Sequence, residues 1–294
     1  MPRISASSAY KLNSLFFSID YLSQANTLGI VNESVKQPNY SSSLLFYSAH
    51  NFDIGVSAII TDNSDSTFTK ASTEFDFMGG YTFSVSDDLV IYPSYTHFEY
   101  SKNSYGLQSV FTDIIQTDIY LDKKHYFGGI TASYLFGRKN TFFASVQNAI
   151  GLEKTDFLFK NSYLSIQLEF DVNFSDKNYY NEFIYNEWDT DELLTWVSNY
   201  YPLAEREIAA RIYLNGIEET KSYFYERINI YDPEVFQPEY AITSVDFMLP
   251  VYYNIGSFMF NFTSYVIIPT VSSMFYEQST MFIFNAGIAY IFSF

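Results

Sequence analysis

A chain of 294 residues is long enough for one large domain or two ordinary ones. Tyr 28, Phe 30 and Trp 2 make up 20% of it, while charged residues reach only 17%, below the roughly 25% of an ordinary water-soluble protein. Mean hydropathy is −0.05 and no run of about 18 apolar residues occurs, which excludes a bundle of membrane-spanning helices. Acids outnumber bases 33 to 16, for a net charge of −17. That balance excludes a nucleic-acid partner, because phosphate binding needs clustered Lys and Arg. With no cysteine there is neither a disulfide scaffold nor a thiolate metal site. A chain rich in aromatics, poor in charge and without spanning helices fits a membrane β-barrel.

The first residues, Met1-Pro-Arg-Ile-Ser-Ala-Ser-Ser, lack the apolar core of a secretory signal. Either the chain stays in the cytoplasm or the sequence is the mature part of an exported protein; the far end of the chain favours the second. From residue 13 onward apolar and polar residues alternate, the period of a strand with two unlike faces. Segments 13–22 (Leu15, Phe17, Ile19, Tyr21 outward), 40–49, 53–61, 72–85 and 89–100 carry the pattern, as do 111–121, 125–136 and 141–150. In 161–174 it is cleanest: Leu164, Ile166, Leu168, Phe170, Val172 and Phe174 alternate with Ser165, Gln167, Glu169, Asp171 and Asn173. Five successive polar residues opposite six large apolar ones suit lipid on one side and a wet interior on the other. Segments 178–188, 239–251, 257–268 and 281–294 complete thirteen, with 221–231 as a possible fourteenth. Most are long enough for a tilted bilayer crossing, which takes about 9–11 residues. Pro93 weakens 89–100, since proline cannot donate to the ladder, and is expected at a bulge.

Short polar connections such as Asn51-Phe-Asp53, Ser86-Asp-Asp88, Ser175-Asp-Lys177 and Asn254-Ile-Gly256 read as hairpin turns. One stretch, 189–220, breaks the period. Asp189-Thr-Asp-Glu192 starts a helix with acids in its first turn, and Pro202 opens a second over Leu203–Leu214, stopped by Asn215-Gly216. This insertion is either a structured lid or plug for the lumen or an external loop. The expected fold is therefore all-β: one domain over 1–294, a transmembrane antiparallel β-barrel of 12–14 strands with a partly helical insertion at 189–220.

The last strand places Phe282, Phe284, Ala286, Ile288, Tyr290, Phe292 and Phe294 on one face and small or polar residues on the other. A final strand of alternating aromatics that ends in Phe resembles the C-terminal signal of bacterial outer-membrane β-barrel proteins. The resemblance implies an outer-membrane location in a Gram-negative cell envelope. It also implies that Phe284, Tyr290, Phe292 and Phe294 are what the barrel-assembly machinery reads. The Asn-, Ser-, Tyr- and Phe-rich, Cys-free composition is similar to that of Bacteroidota barrels.

On the assigned faces the lumen carries Asp20, Glu74, Asp76, Glu99, Asp118, Glu169, Asp171 and Asp246, and no Lys or Arg. Such an interior either fills with water and cations, as acidic rings that select cations do, or is neutralised by Arg206, Arg211, Lys221 and Arg227 reaching in from the insertion. Some of these acids could instead lie in solvated strand extensions, and Asp53, Asp87 and Asp88 read as solvated turn residues. The acids Glu182, Glu187, Asp189, Asp191 and Glu192 could hold Ca²⁺ or bridge to lipopolysaccharide, but lack the EF-hand pattern, and a solvated face explains them. Whether any metal binds is left open, and no cofactor is expected.

His50, His97 and His125 are the only histidines. Acyl hydrolysis needs a nucleophile beside an oriented His, and Ser94 and Thr96 alternate with His97, so no local Ser/His pair shares a face. The expectation is no enzyme. Tyrosines crowd the segment ends, among them Tyr21, Tyr40, Tyr47, Tyr92, Tyr100, Tyr126, Tyr252 and Tyr253, as in aromatic girdles. The expected function is a porin-like, narrow, acid-lined pore for small or cationic solutes. The alternative is a non-conducting barrel serving as subunit or scaffold of a larger outer-membrane complex, and a lipid-modifying enzyme ranks third. Expected partners are outer-membrane lipid, lipopolysaccharide, the assembly machinery and other outer-membrane proteins.

Overall fold

The computed structural model describes residues 12–23, 38–61, 72–100, 111–123, 125–137, 140–178, 190–232, 235–271 and 279–294. Twelve long strands form one antiparallel ladder that closes on itself. In chain order they are β1 (Ser14–Leu22), β2 (Asn39–Tyr47), β3 (Phe52–Thr61), β4 (Ser72–Tyr81, continued by Phe83–Ser84), β5 (Leu89–Tyr100) and β6 (Phe111–Lys123). They continue as β7 (Tyr126–Gly137), β8 (Thr141–Thr155), β9 (Ser162–Asp176), β10 (Tyr240–Ile255), β11 (Phe258–Pro269) and β12 (Met281–Ser293). Each strand pairs with its sequence neighbours, and β1 pairs with β12 from Ser14↔Ser293 to Leu22↔Asn285. Full closure removes the unpaired edges that would otherwise recruit another strand. At this seam the Ser14 and Ser293 hydroxyls lie 2.9 Å apart, and Phe294 N donates to Asn13 O (2.9 Å).

The ladder sorts the side chains as the period predicts. Phe17, Ile19, Leu44, Phe75, Phe77, Ile150, Leu168, Phe260, Phe284 and Tyr290 stand exposed on the outside. Their chain neighbours Ser18, Glu74, Asp76, Ala149, Glu169, Met259 and Ala289 are buried inside. Among the described residues no helix is long and apolar enough to cross a membrane.

Antiparallel order gathers the long connections at one end, together with the short 138–140, and the remaining short ones at the other. Turns at 48–51, 85–88, 156–161 and 256–257 close the short-turn end; Asn51 and Gly256 adopt positive φ there (67° and 58°). The connections 23–38, 62–71, 101–110, 177–239 and 270–280 lie at the long-loop end. Pro93 sits at no bulge. The β4–β5 ladder keeps one register from Gly80↔Ser94 to Phe83↔Ile91 and simply skips the rungs at Pro93, where the missing N–H would have donated.

The segment 221–231 is helical. The insertion holds three helices, α1 (Thr190–Tyr200), α2 (Glu205–Asn215) and α3 (Ile217–Tyr231), and so runs beyond the expected 189–220. Gly216 at φ 83° separates α2 from α3. In α3 the inward residues Lys221, Phe224 and Ile228 recur at three and four, the helical spacing that overrides an apparent strand pattern. The proposed strand 178–188 falls almost wholly on residues outside those described.

Candidate functional site: the acidic interior and its helical plug

Most of the inward acids occupy the long-loop half of the barrel. Asp20 lies near the end of β1, Glu74 and Asp76 near the start of β4, Glu169 and Asp171 toward the end of β9, and Asp246 near the start of β10. Glu74, Asp76, Glu169, Asp171 and Asp246 are buried, and Asp20 and Asp118 are half-buried. Asp118 accepts from Thr131 Oγ1 and from Gln116 Nε2 (2.8 Å), while Ser133 Oγ is bonded to Gln116 Oε1 (3.2 Å), a polar chain across β6–β7. Asp20 accepts from Asn261 Nδ2 (3.0 Å). Gly287 makes room for this pair, since a Cβ there would fall 1.9 Å from Asp20 Oδ1 and 2.6 Å from Asn261 Oδ1. On β9 and β10, Asp171 stands directly opposite Asp246, and Asn173 Nδ2 donates to Asp246 Oδ2 (2.8 Å).

Two acids are not where the pattern puts them. Glu99 points outward and its side chain is 67% exposed. Strand β5 has apolar residues on both faces, and its inward row is Val90, Tyr92, Ser94, Thr96, Phe98 and Tyr100, with Phe98 packed beneath the insertion. Asp53, expected in a solvated turn, is buried inside at the short-turn end and accepts a hydrogen bond from Tyr92 Oη (2.7 Å). Tyr92 reaches it by lying over Gly80, where a Cβ would come within 2.3 Å of the phenol oxygen. Tyr92 therefore faces inward, as do Tyr100, which follows exposed Glu99, and Tyr47 and Tyr252, which pack on the inward cluster of Phe16, Leu45 and Met259, and these four belong to no girdle.

Bases are rare on the wall. The described strands contain only Lys123 and Lys154, both exposed at the short-turn end. The proposed plug bases do not form an inward set. Arg211 Nε donates to Glu207 Oε1 (3.2 Å) and its guanidinium lies 3.5 Å from the Tyr223 ring centre. Arg227 Nε donates to the Tyr223 hydroxyl (2.8 Å), which itself donates to Glu207 (2.7 Å). Arg206 is exposed on the same insertion. Tyr223 and the two guanidinium groups hold the Glu207 carboxyl below the ordinary glutamate range. Lys221 alone of the four is buried, with Glu218 Oε1 3.8 Å away.

The insertion is seated in the barrel mouth. Leu193, Trp196 and Val197 of α1, Ile208 of α2, Phe224 and Ile228 of α3, and Val235 and Phe236 form one buried cluster with Phe111 of β6 and Leu135 of β7. Inward-facing Phe98, Ile114 and Phe143 pack against it. Trp196 is central, its ring 5.3 Å from Tyr201 and 6.2 Å from Phe224. Tyr201 Oη donates to Asp232 Oδ2 (3.0 Å), and burial together with that carboxylate pushes its phenol up to about 12. The insertion leaves the wall through a tied neck, where Lys177 Nζ meets Glu239 Oε1 (2.7 Å) and Asp176 Oδ1 accepts from the backbone N–H groups of Asn178 and Glu239. The helices thus fill the β5–β8 side of the mouth, while most of the acids line β1, β4, β9 and β10.

A second polar group escaped the sequence reading, because its members come from two strands. On the outer face near the long-loop end, His97 Nδ1 lies 2.8 Å from Asp113 Oδ1, and Tyr95 Oη and Thr112 Oγ1 donate to the same carboxylate. Both hydroxyls face the acid, so neither is presented to the imidazole as a nucleophile. Among the described residues no group of three or more His, Asp or Glu converges to hold a metal ion. Of the acid run in the insertion, 182–189 lies outside the described residues and Asp191 is exposed.

No family model matches the chain, and no curated protein matches it. Among solved structures it is similar to LpxR from Salmonella typhimurium, with 8% identity and a TM-score of 0.49 over 95% of this chain and 100% of that one. It is also similar to the KdgM porin (7%, 0.46, covering 94% and 98%) and to the NanC porin (6%, 0.45, covering 94% and 98%). These are bacterial outer-membrane β-barrels, the class that the closed twelve-strand ladder resembles. The likeness extends to the fold alone.

Proposed function

We propose that the protein is an integral outer-membrane β-barrel whose interior is a narrow, acid-lined passage for small or cationic solutes, with the helical insertion seated in its mouth. One observation carries this reading: the wall presents inward carboxylates from β1, β3, β4, β6, β9 and β10, while the only described strand lysines are exposed at the short-turn end. Carboxylates gathered in a confined space attract cations and repel anions. Twelve strands leave a lumen wider than the filled interior of an eight-strand barrel and narrower than a 16-strand porin. The outward Phe and Leu rows face hydrocarbon, and outward Tyr21, Tyr40 and Tyr126 sit at strand ends, where headgroups of lipid and lipopolysaccharide begin. On this account the last strand, with Phe284, Tyr290, Phe292 and Phe294, is what the assembly machinery engages. Reconstituted in planar bilayers, the protein should open small channels whose reversal potential in a KCl gradient has the sign of K⁺ preference. Absence of any open state, or preference for chloride, refutes the proposal.

The seated insertion favours a second reading, a non-conducting barrel that acts as a subunit of a larger outer-membrane assembly. Purification from native membrane should then bring stable partners with it, and the isolated barrel should stay closed even when the insertion is loosened.

A further inference from the structure

We infer that the passage is narrowest at its short-turn end, where inward apolar and aromatic side chains form a constriction that limits the size of solute admitted. This rests on the reading of the barrel as a passage and names the residues that make it selective by size. Phe16 of β1, Leu45 of β2, Met259 of β11 and Ala289 of β12 form one buried cluster, each close to the short-turn end of its strand. An inward side chain is covered only by what fills the lumen, and an open, water-filled tube leaves it wet. Phe16, Leu45 and Met259 are nevertheless only 6%, 7% and 5% exposed. Met78 of β4 and Tyr252 of β10 pack against them. Those two strands stand six places apart in the ring of twelve, so opposite walls both contribute to the layer.

The layer continues on the other strands. Inward Val90 of β5 is 0% exposed, and its register partner Tyr120 of β6 meets Phe127 of β7 with ring centres 5.7 Å apart. Tyr92 joins the two arcs. Its ring leans from β5 over Gly80 of β4, and its hydroxyl donates to Asp53 of β3 (2.7 Å), which stands opposite Tyr47 of β2. That bond latches the ring in place. An apolar constriction resists wetting, so water and ions cross it only where the gap is wide enough. Most of the inward acids lie at the opposite, long-loop half. Charge is therefore selected at one level of the barrel and size at another.

The test reads solute size and side-chain packing separately, on the full chain. Proteoliposome swelling is followed in uncharged solutes graded from glycerol to a trisaccharide, beside single-channel K⁺ conductance in planar bilayers. Phe16→Ala and Tyr92→Ala should each admit a larger solute than wild type and raise conductance several-fold. Tyr92→Phe, which keeps the ring and removes the bond to Asp53, should have a smaller effect. Ile54→Ala, beside Asp53 but on the outer face, should have none. A protein that conducts with its size limit unchanged in both Phe16→Ala and Tyr92→Ala overturns the constriction and leaves the passage standing. Packing is read without conduction. In detergent micelles the thiol of Ala289→Cys should react with a small thiol reagent several-fold more slowly than that of Asp87→Cys, in an exposed turn. Adding Phe16→Ala or Tyr92→Ala to Ala289→Cys should restore much of the lost rate. Equal reactivity of the two single thiols overturns the packed layer. Protein that never conducts, yet shows the protected thiol and its release, refutes the passage and leaves the layer as a seal.

Discussion

Leu168→Arg should destabilise the folded barrel in lipid by roughly 2–4 kcal/mol, the cost of a base on a barrel's lipid face near the midplane. Leu168 lies midway along β9, points outward with 54% of its surface exposed, and pairs with Ile150 of β8, which is also exposed. In water an exposed Leu replaced by Arg is near neutral, so a large loss marks hydrocarbon at this position. Gln167→Arg provides the internal comparison. It alters the adjacent residue, on the opposite face, and should leave the unfolding midpoint nearly unchanged while weakening cation preference. Urea titration in lipid vesicles, read by loss of the strand circular-dichroism signal, gives both values. Equal small effects would mean that this face does not meet lipid.

Trp196→Ala should unseat the insertion while the wall stays intact. Removing a buried Trp side chain costs about 3–5 kcal/mol, and Trp196 is 5% exposed at the centre of the cluster that joins α1 and α3 to Phe111 and Leu135. The strand ladder does not depend on that ring, because each strand holds its neighbours through backbone hydrogen bonds around the full circle. The expected result is faster proteolysis within 177–239, unchanged unfolding of the barrel itself, and larger or more frequent channel openings. Proteolysis and conductance both equal to wild type would show that the helices hold no place in the mouth. Loosening with persistent closure would favour the scaffold reading.

Where one face was uniformly apolar, the fold was legible from residue order alone. The row from Leu164 to Phe174 and the row from Phe282 to Phe292 needed only the two-residue period to be placed, and both lie in strands with their large residues outside. The period failed where apolar residues occupy both faces. In β5, Phe98 turns inward because the helical cluster offers it an apolar partner, and Glu99 is carried outward with it. The helical part of that cluster begins 95 residues further along the chain, at Leu193, and is invisible to local alternation. The third helix was missed for a related reason. Tyr223 and Tyr225 fit a two-residue period while Lys221, Phe224 and Ile228 fit a helical one, and packing against α1 and α2 decides between them. Cross-strand groups were illegible in principle. The Asp171/Asp246 pair and the His97–Asp113 contact depend on register, which is set by ladder closure and the bulge near Asn173 rather than by either strand alone.

The chain has no cysteine, so single thiols can be placed without background. Cysteines at Phe17, Phe77, Ile150 and Phe260, and at their neighbours Ser18, Met78, Ala149 and Asn261, sample both faces of four strands. Labelled with an environment-sensitive fluorophore in vesicles, the first set should be quenched by brominated lipid chains. The second set should instead react with a small cationic thiol reagent from water. If the two sets do not differ, with both dry or both wet, then the apolar rows do not face hydrocarbon and the interior is not a hydrated acidic passage.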